Sequence, residues 1–262
     1  MQQEATDISS TRGPSAAKRS DRRRRRLVGV GWIAFIAAAV GVLLIPGAWD
    51  TALAHGIGGR DAAFVAATKG PDALPFMYLG AKHMVTGYDH LLFIFGVIFF
   101  LYRLRDVLIY VTLFSIGHSI TLLAGVLLKI DVNAYLVDAI IGLSVAYKAF
   151  DNLGGFKSVF GVQPNNKIAV AGFGLIHGFG LATKLQSLRL NGNGLVANMI
   201  GFNIGVEIGQ LIALALFLAI MLQWRRSASF ERMAVAANGL ILTAGFMLIE
   251  YQLAGYFGAG KV

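Results

Sequence analysis

The 262-residue chain contains no cysteine. That excludes a disulfide, a thiolate metal site and a thiol nucleophile, so any metal it holds binds nitrogen and oxygen. Charge is also scarce. Asp, Glu, Lys and Arg make up 14% of the residues and hydrophobic residues 56%, whereas soluble domains carry about 25% charge. A soluble globule is excluded, and the long apolar runs lead us to expect an all-α, polytopic membrane helix bundle. Proline is rare at 5 residues while glycine is abundant at 32, a balance that suits close helix packing in lipid. No serine-histidine-acid order, phosphate-cradling loop or nucleotide fingerprint is present. There is no solenoid-like repeat and no inverted repeat of the kind found in secondary transporters.

The chain opens on residues 1–26, a basic tail rich in Ser and Arg in which eight Lys or Arg face Glu4, Asp7 and Asp21. Such composition predicts disorder. It lacks aromatics, so it is a topology signal and a lipid-headgroup anchor, with no nucleic-acid partner expected. Residues 27–49 form an apolar segment, either a transmembrane anchor or a signal segment. Ala52-Leu53-Ala54 follows as an A-x-A cleavage pattern. Cleavage there would make His55 a new N-terminus able to chelate one ion; otherwise it is a loop histidine. Residues 50–77 are expected to be an extracytoplasmic loop, residues 78–254 a six-helix membrane domain and residues 255–262 a C-terminal tail. The six apolar segments are 78–102, 107–128, 134–151, 168–188, 196–222 and 233–254.

Orientation follows from the basic residues. With the tail in the cytoplasm, the inner loops carry Arg103 and Arg105, then Lys148, Lys157 and Lys167, then Arg225, Arg226 and Arg232.

Against this apolar background the ionisable residues stand out. Histidines 83, 90, 118 and 177 lie within apolar segments, together with Asp89 and Glu207. Ionisable groups are costly in lipid and normally face a protein interior and a partner. On a continuous helix His83 and His90 are two turns and roughly 10 Å apart on one face. The orientation puts all six at similar depth, in the outer half of the bundle. We read His83, Asp89, His90, His118, His177 and Glu207 as a candidate metal or proton site. Imidazole and carboxylate suit nickel, cobalt, zinc or copper. Asp89 or Glu207 could be a ligand or the carboxylate that orients a metal-bound histidine. Ser115, Ser119, Asn203, Gln210 and Asp138 are candidate supporting groups. The competing reading is a set of separate interhelical hydrogen bonds. Gly201, Gly205 and Gly209 recur every four residues as a smooth packing face, while Asn203, Glu207 and Gln210 form a polar stripe.

Five stretches carry a family resemblance: His83-x-x-x-Gly87-x-Asp89-His90, Gly117-His118-Ser119-Ile120-Thr121-Leu122, Leu143-Ser144-Val145-x-Tyr147 with Asp151-Asn152, Phe173-Gly174-Leu175-x-His177-Gly178, and Phe202-Asn203-x-Gly205-Val206-Glu207-x-Gly209-Gln210. In them the chain resembles the HupE/UreJ family of hydrogenase and urease accessory membrane proteins. The resemblance implies a multi-pass protein of the bacterial inner membrane that moves or supplies nickel or cobalt to a metalloenzyme maturation system. A zinc-dependent intramembrane hydrolase and a structural or assembly subunit of a membrane complex are the alternatives.

Overall fold

The computed structural model describes residues 59–188 and 191–259. The basic tail, the first apolar segment and His55 lie outside the described residues. Those described are helical and contain no strand. In chain order the helices are α1 (Gly59–Ala67), α2 (Ala73–Thr86), α3 (Tyr88–Ile98), α4 (Leu104–Leu127), α5 (Ala134–Asn152), α6 (Asn166–Ser187), α7 (Leu195–Arg225) and α8 (Phe230–Ala259). A π-helical turn, Phe156–Phe160, sits between α5 and α6. Among the described residues four helices, α4, α6, α7 and α8, are long and apolar enough to cross a membrane, and α3 is a shorter apolar helix. Their outward faces are apolar as lipid demands: Ile116 and Ile120 on α4 and Ile204, Ile208 and Leu211 on α7 are exposed.

Three boundaries differ from the sequence reading. The segment expected to be a loop over 50–77 contains α1, whose Phe64 ring packs 6.0 Å from that of Phe76 on α2. An Asp61–Lys82 ion pair of 2.7 Å ties the same two helices. The apolar segment over 78–102 is two helices, because the chain breaks at Gly87 (φ −73, ψ 103). The expected C-terminal tail continues α8 as far as Ala259.

Three helix pairs build the bundle, and glycine sets each of them. Along α2 and α7 the residues run in parallel register. A Cβ at Gly201 would strike the carbonyl oxygen of Ala73, one at Gly205 that of Met77, and one at Gly209 would come 2.6 Å from that of Ala81. Along α4 and α6 the register is again parallel: Gly174 lies against Phe114, Gly178 against His118 and Thr121, and Gly125 against Ala182. The third pair, α5 and α8, is antiparallel, with Gly142 against Leu248 and Ile249 and Gly245 against Ala146. Small residues permit this approach, and in lipid it supplies the van der Waals contact that the hydrophobic effect cannot.

Backbone groups at the helix ends find partners, as a low-dielectric surround requires. Asn133 caps α5 by accepting from the Leu136 N–H, and Asn165 caps α6 by accepting from Lys167 and Ile168. Arg225 at the end of α7 donates to the carbonyls of Ile98, Phe99 and Leu101, closing the end of α3 from outside. It also lies over the Tyr102 ring. These contacts gather the α3–α4 and α7–α8 connections at one end, here called the basic end, with Arg103, Arg105, Arg226 and Arg232 nearby in the chain.

The glycine register yields a direct test. Gly205→Ala places a methyl on a backbone carbonyl, whereas Gly172 and Gly239 have open space. In detergent, Gly205→Ala is expected to lower the thermal midpoint. Gly172→Ala should hold or raise it, since alanine is favoured over glycine in a helix by roughly 1 kcal/mol. Equal midpoints for the two variants would refute the packing argument.

Candidate functional site

The break at Gly87 organises the site. Its N–H still donates to the His83 carbonyl at 2.9 Å, and its own carbonyl accepts from Leu91 at 3.0 Å, so it ends α2 and begins α3. A side chain there would approach His90 Nδ1 to 2.9 Å and Asp89 Oδ1 to 3.2 Å. The position therefore needs glycine for space. Because the helix breaks, His83 and His90 are not separated by two regular turns as expected. Their ring centroids are 5.1 Å apart.

Asp89 orients His90. Its Oδ1 accepts from the His90 backbone N–H and from ring Nδ1, each at 2.8 Å. The carboxylate sits in the first turn of α3, where the helix dipole favours negative charge. The proton on Nδ1 leaves a lone pair on Nε2. On α6, His177 Nδ1 donates to the Phe173 carbonyl at 2.8 Å, which sets the same tautomer because a carbonyl only accepts. His118, on α4, is fully buried.

Helix pairing brings these three together. Gly178, beside His177, packs on the His118 turn, and Thr121 Oγ1 donates across the interface to the Leu175 carbonyl at 2.6 Å. His90 then comes in from α3, its centroid 5.8 Å from that of His118 and 5.1 Å from that of His177. Nε2 of His90, Nε2 of His177 and both ring nitrogens of His118 are buried without a hydrogen-bond partner. Leaving such a group unsatisfied costs about 1–3 kcal/mol. As the rings stand, no three His, Asp or Glu side chains among the described residues have their donor atoms set around one ion.

Aromatic rings, which the sequence reading did not single out, form the wall. Phe114 lies 4.9 Å from His177 and stacks on His118 at 6.1 Å, and Phe93 lies 5.4 Å from His177. Both are three or four residues from a site histidine on its own helix, and that spacing was the available signal.

The other expected residues divide. Glu207 is exposed on the outer surface of α7, so it does not join the histidines. Four residues turn a helix through one turn plus about 40°. That carries Glu207 off the Asn203–Gln210 line toward exposed Ile204, Ile208 and Leu211. Gln210 is buried and accepts from Ser115 at 2.8 Å while donating to the Val111 carbonyl at 3.3 Å. These two groups tie α4 to α7, which is the structural role weighed against a ligand-supporting one. Asn203 is buried and donates back to the Met199 carbonyl at 3.3 Å; Ser119 is half-buried. Asp138 pairs with Lys184 of α6 at 2.8 Å. Lys148, expected in an inner loop, is instead buried in α5 and paired with Asp151.

A family model described as "HupE / UreJ protein" matches residues 59–259. No curated protein and no solved structure matches the chain.

The orphaned nitrogens predict an inverted mutational response. In chelator, His118→Leu should raise the thermal midpoint, because it replaces two unsatisfied buried nitrogens with an apolar side chain of similar bulk. A clear fall would mean that His118 is a structural hydrogen-bonding residue.

Proposed function

The chain belongs to the HupE/UreJ family, and on that premise we propose that it binds a divalent transition-metal ion at His90, His118 and His177 and carries it across the membrane. Nickel or cobalt is the cargo implied by the family, for delivery to metalloenzyme maturation in the bacterial inner membrane. The observation that supports this is the set of buried imidazole nitrogens left unpartnered by three separate helices, two of them with tautomers that direct Nε2 lone pairs inward. Imidazole nitrogen suits nickel, cobalt, zinc and copper. Rings sharing one tetrahedral ion at ~2.0–2.1 Å have centroids roughly 5 Å apart, close to the separations from His90. Small ring rotations would then aim the nitrogens at one point.

In this reading the broken pair α2–α3 acts as one crossing and α4 to α8 supply five more, giving six. The basic end faces the cytoplasm, by the positive-inside rule. His83, half-buried and beside His90, takes the ion from the opposite end. Asp89 fixes His90 as the carboxylate partner of a metal-bound histidine does. The hydrolase alternative has weaker support. A metal-bound water needs a base, and Asp89 is committed to His90 while Glu207 faces outward.

Metal content of the purified protein tests the reading. After nickel loading, mass spectrometry should find about one ion per chain in the parent, much less in His90→Ala and His118→Ala, and a parent-like amount in Glu207→Gln. Asp89→Asn should weaken binding by about 10- to 100-fold, the usual effect of losing such a partner. Parent-like metal in both histidine variants would sink the proposal.

A further inference from the structure

Glu207 occupies a place in the fold that lipid does not tolerate uncovered. It is exposed on α7, among Ile204, Ile208 and Leu211. Its depth follows from Gln210, which meets Ser115 of α4. α4 starts at the basic end, where α7 finishes, so the two helices run antiparallel. Three residues back from Gln210 on α7, and three residues on from Ser115 on α4, both lie roughly 4.5 Å farther from the basic end. Glu207 is therefore level with His118, well inside the bundle's span. Among the described residues it has no hydrogen-bond or ion-pair partner. A carboxyl at this depth is costly in hydrocarbon and normally faces protein and a partner.

A second unpartnered polar group stands beside it. Ser119 follows Ser115 by one turn of α4, so it points along nearly the same face, toward α7. It is half-buried. Hydroxyls inside a helix commonly bond back to their own helix, as Thr121, Ser144 and Thr183 do here. Ser119 makes no hydrogen bond among the described residues. Its level is that of Glu207 to within about 2 Å. Carboxyl and hydroxyl thus sit at one depth on neighbouring helices. The face around them is apolar, with Ile116 and Ile120 on α4 and Ile204 and Ile208 on α7.

We propose that a second copy of this chain covers the face formed by α4 and α7, related to the first by a two-fold axis along the membrane normal. The hydrogen-bonding pattern selects this occupant. A carboxyl accepts and a hydroxyl donates. A two-fold interface presents the same patch from both sides, so Glu207 of each copy meets Ser119 of the other. One acceptor and one donor at one level make the face complementary to itself. The chain's own first apolar segment, residues 27–49, is a poorer match, because its only side-chain donors, Trp32 and Trp49, stand toward its two ends. A lipid tail offers no donor at all. The isoleucines around the pair supply close contact, and the polar pair fixes register, as hydrogen bonds between helices do in lipid. The interface is independent of metal transport.

The absence of cysteine makes the test direct. Single cysteines are placed in the full chain at Ile204, at Ile116 and, as a control, at exposed Leu240 of α8. Each protein is reconstituted in liposomes at rising lipid-to-protein ratio and treated with a short bismaleimide. Ile204→Cys and Ile116→Cys should give a covalent dimer that persists on dilution. Leu240→Cys should give only the collisional yield that dilution removes. Adding Glu207→Leu or Ser119→Ala to Ile204→Cys should shift the dilution midpoint about tenfold toward monomer. The two changes together should shift it no further, because they remove one shared contact. Glu207→Gln keeps an acceptor and should dimerise like the parent. Cross-linking at Ile204→Cys and Ile116→Cys that dilutes away as it does at Leu240→Cys overturns the interface, and leaves Glu207 to another chain or to its own Ser119. A persistent dimer indifferent to Glu207→Leu overturns it as well.

Discussion

Direct approach of backbones at glycine is the constraint on which the bundle rests. Between apolar helices in lipid there is no water to expel, so the contact energy comes from proximity. Gly201, Gly205 and Gly209 seat α7 on α2, Gly174 and Gly178 seat α6 on α4, and Gly142 and Gly245 seat α5 on α8. Such contacts leave little freedom of register, since a shift would drive side chains into carbonyl oxygens. The register of α4 against α6 sets His118 level with His177, and the register of α2–α3 against α7 sets the depth of His90. The site is thus a consequence of helix pairing before it is a consequence of any histidine's own preference.

The broken helix supplies what pairing alone would not. A continuous helix would hold His83 and His90 on one line and leave Asp89 turned away from both. The break at Gly87 starts a new helix two residues before Asp89 and three before His90. Asp89 then stands at a helix start, satisfying a backbone N–H and the His90 ring together. One carboxylate oxygen so performs a capping task and an orienting task, and the lone pair that results on His90 Nε2 points away from Asp89. Arg225 closes the other end of the same short helix. Both ends of α3 are therefore held by charged groups, which steadies the element that delivers His90.

Charge inside the bundle is sparse and mostly paired. Asp138 with Lys184 and Lys148 with Asp151 both involve α5, one pair on each side of the histidine level. Buried pairs of this kind contribute little net stability, because desolvation offsets attraction. Their presence on a single helix flanking the imidazoles is easier to understand as a way to keep carboxylates within the membrane than as a means of holding the fold. The histidines differ, since their Nε2 atoms are left without partners. A protein evolved only for stability would fill that space with leucine.

How much was legible without the fold depends on the kind of information. Length and apolarity of the segments are local properties, so most of the long helices could be placed from the chain: the segments 107–128 and 196–222 fall within a few residues of α4 (Leu104–Leu127) and α7 (Leu195–Arg225). The cost of burying an ionisable group is equally local, and it grouped His90, His118 and His177 with His83, Asp89 and Glu207, without telling which of the six would meet. Three things were not legible. Gly87 resembles the packing glycines until its neighbours His90 and Asp89 are seen to need the space. Glu207 falls on the same i, i+4, i+7 pattern as Asn203 and Gln210, yet a small rotation about the helix axis sends it outward. Lys148 resembles a loop cation because, although Asp151 lies one turn along the chain, nothing nearby in the sequence reveals that its stem runs beside Gly96 of α3. Residue type and spacing alone determined that this chain spans a membrane with helices and buries a set of imidazoles. Which groups face one another is a property of helix rotation and register, set by contacts between segments distant in sequence, and only the tertiary structure decided it.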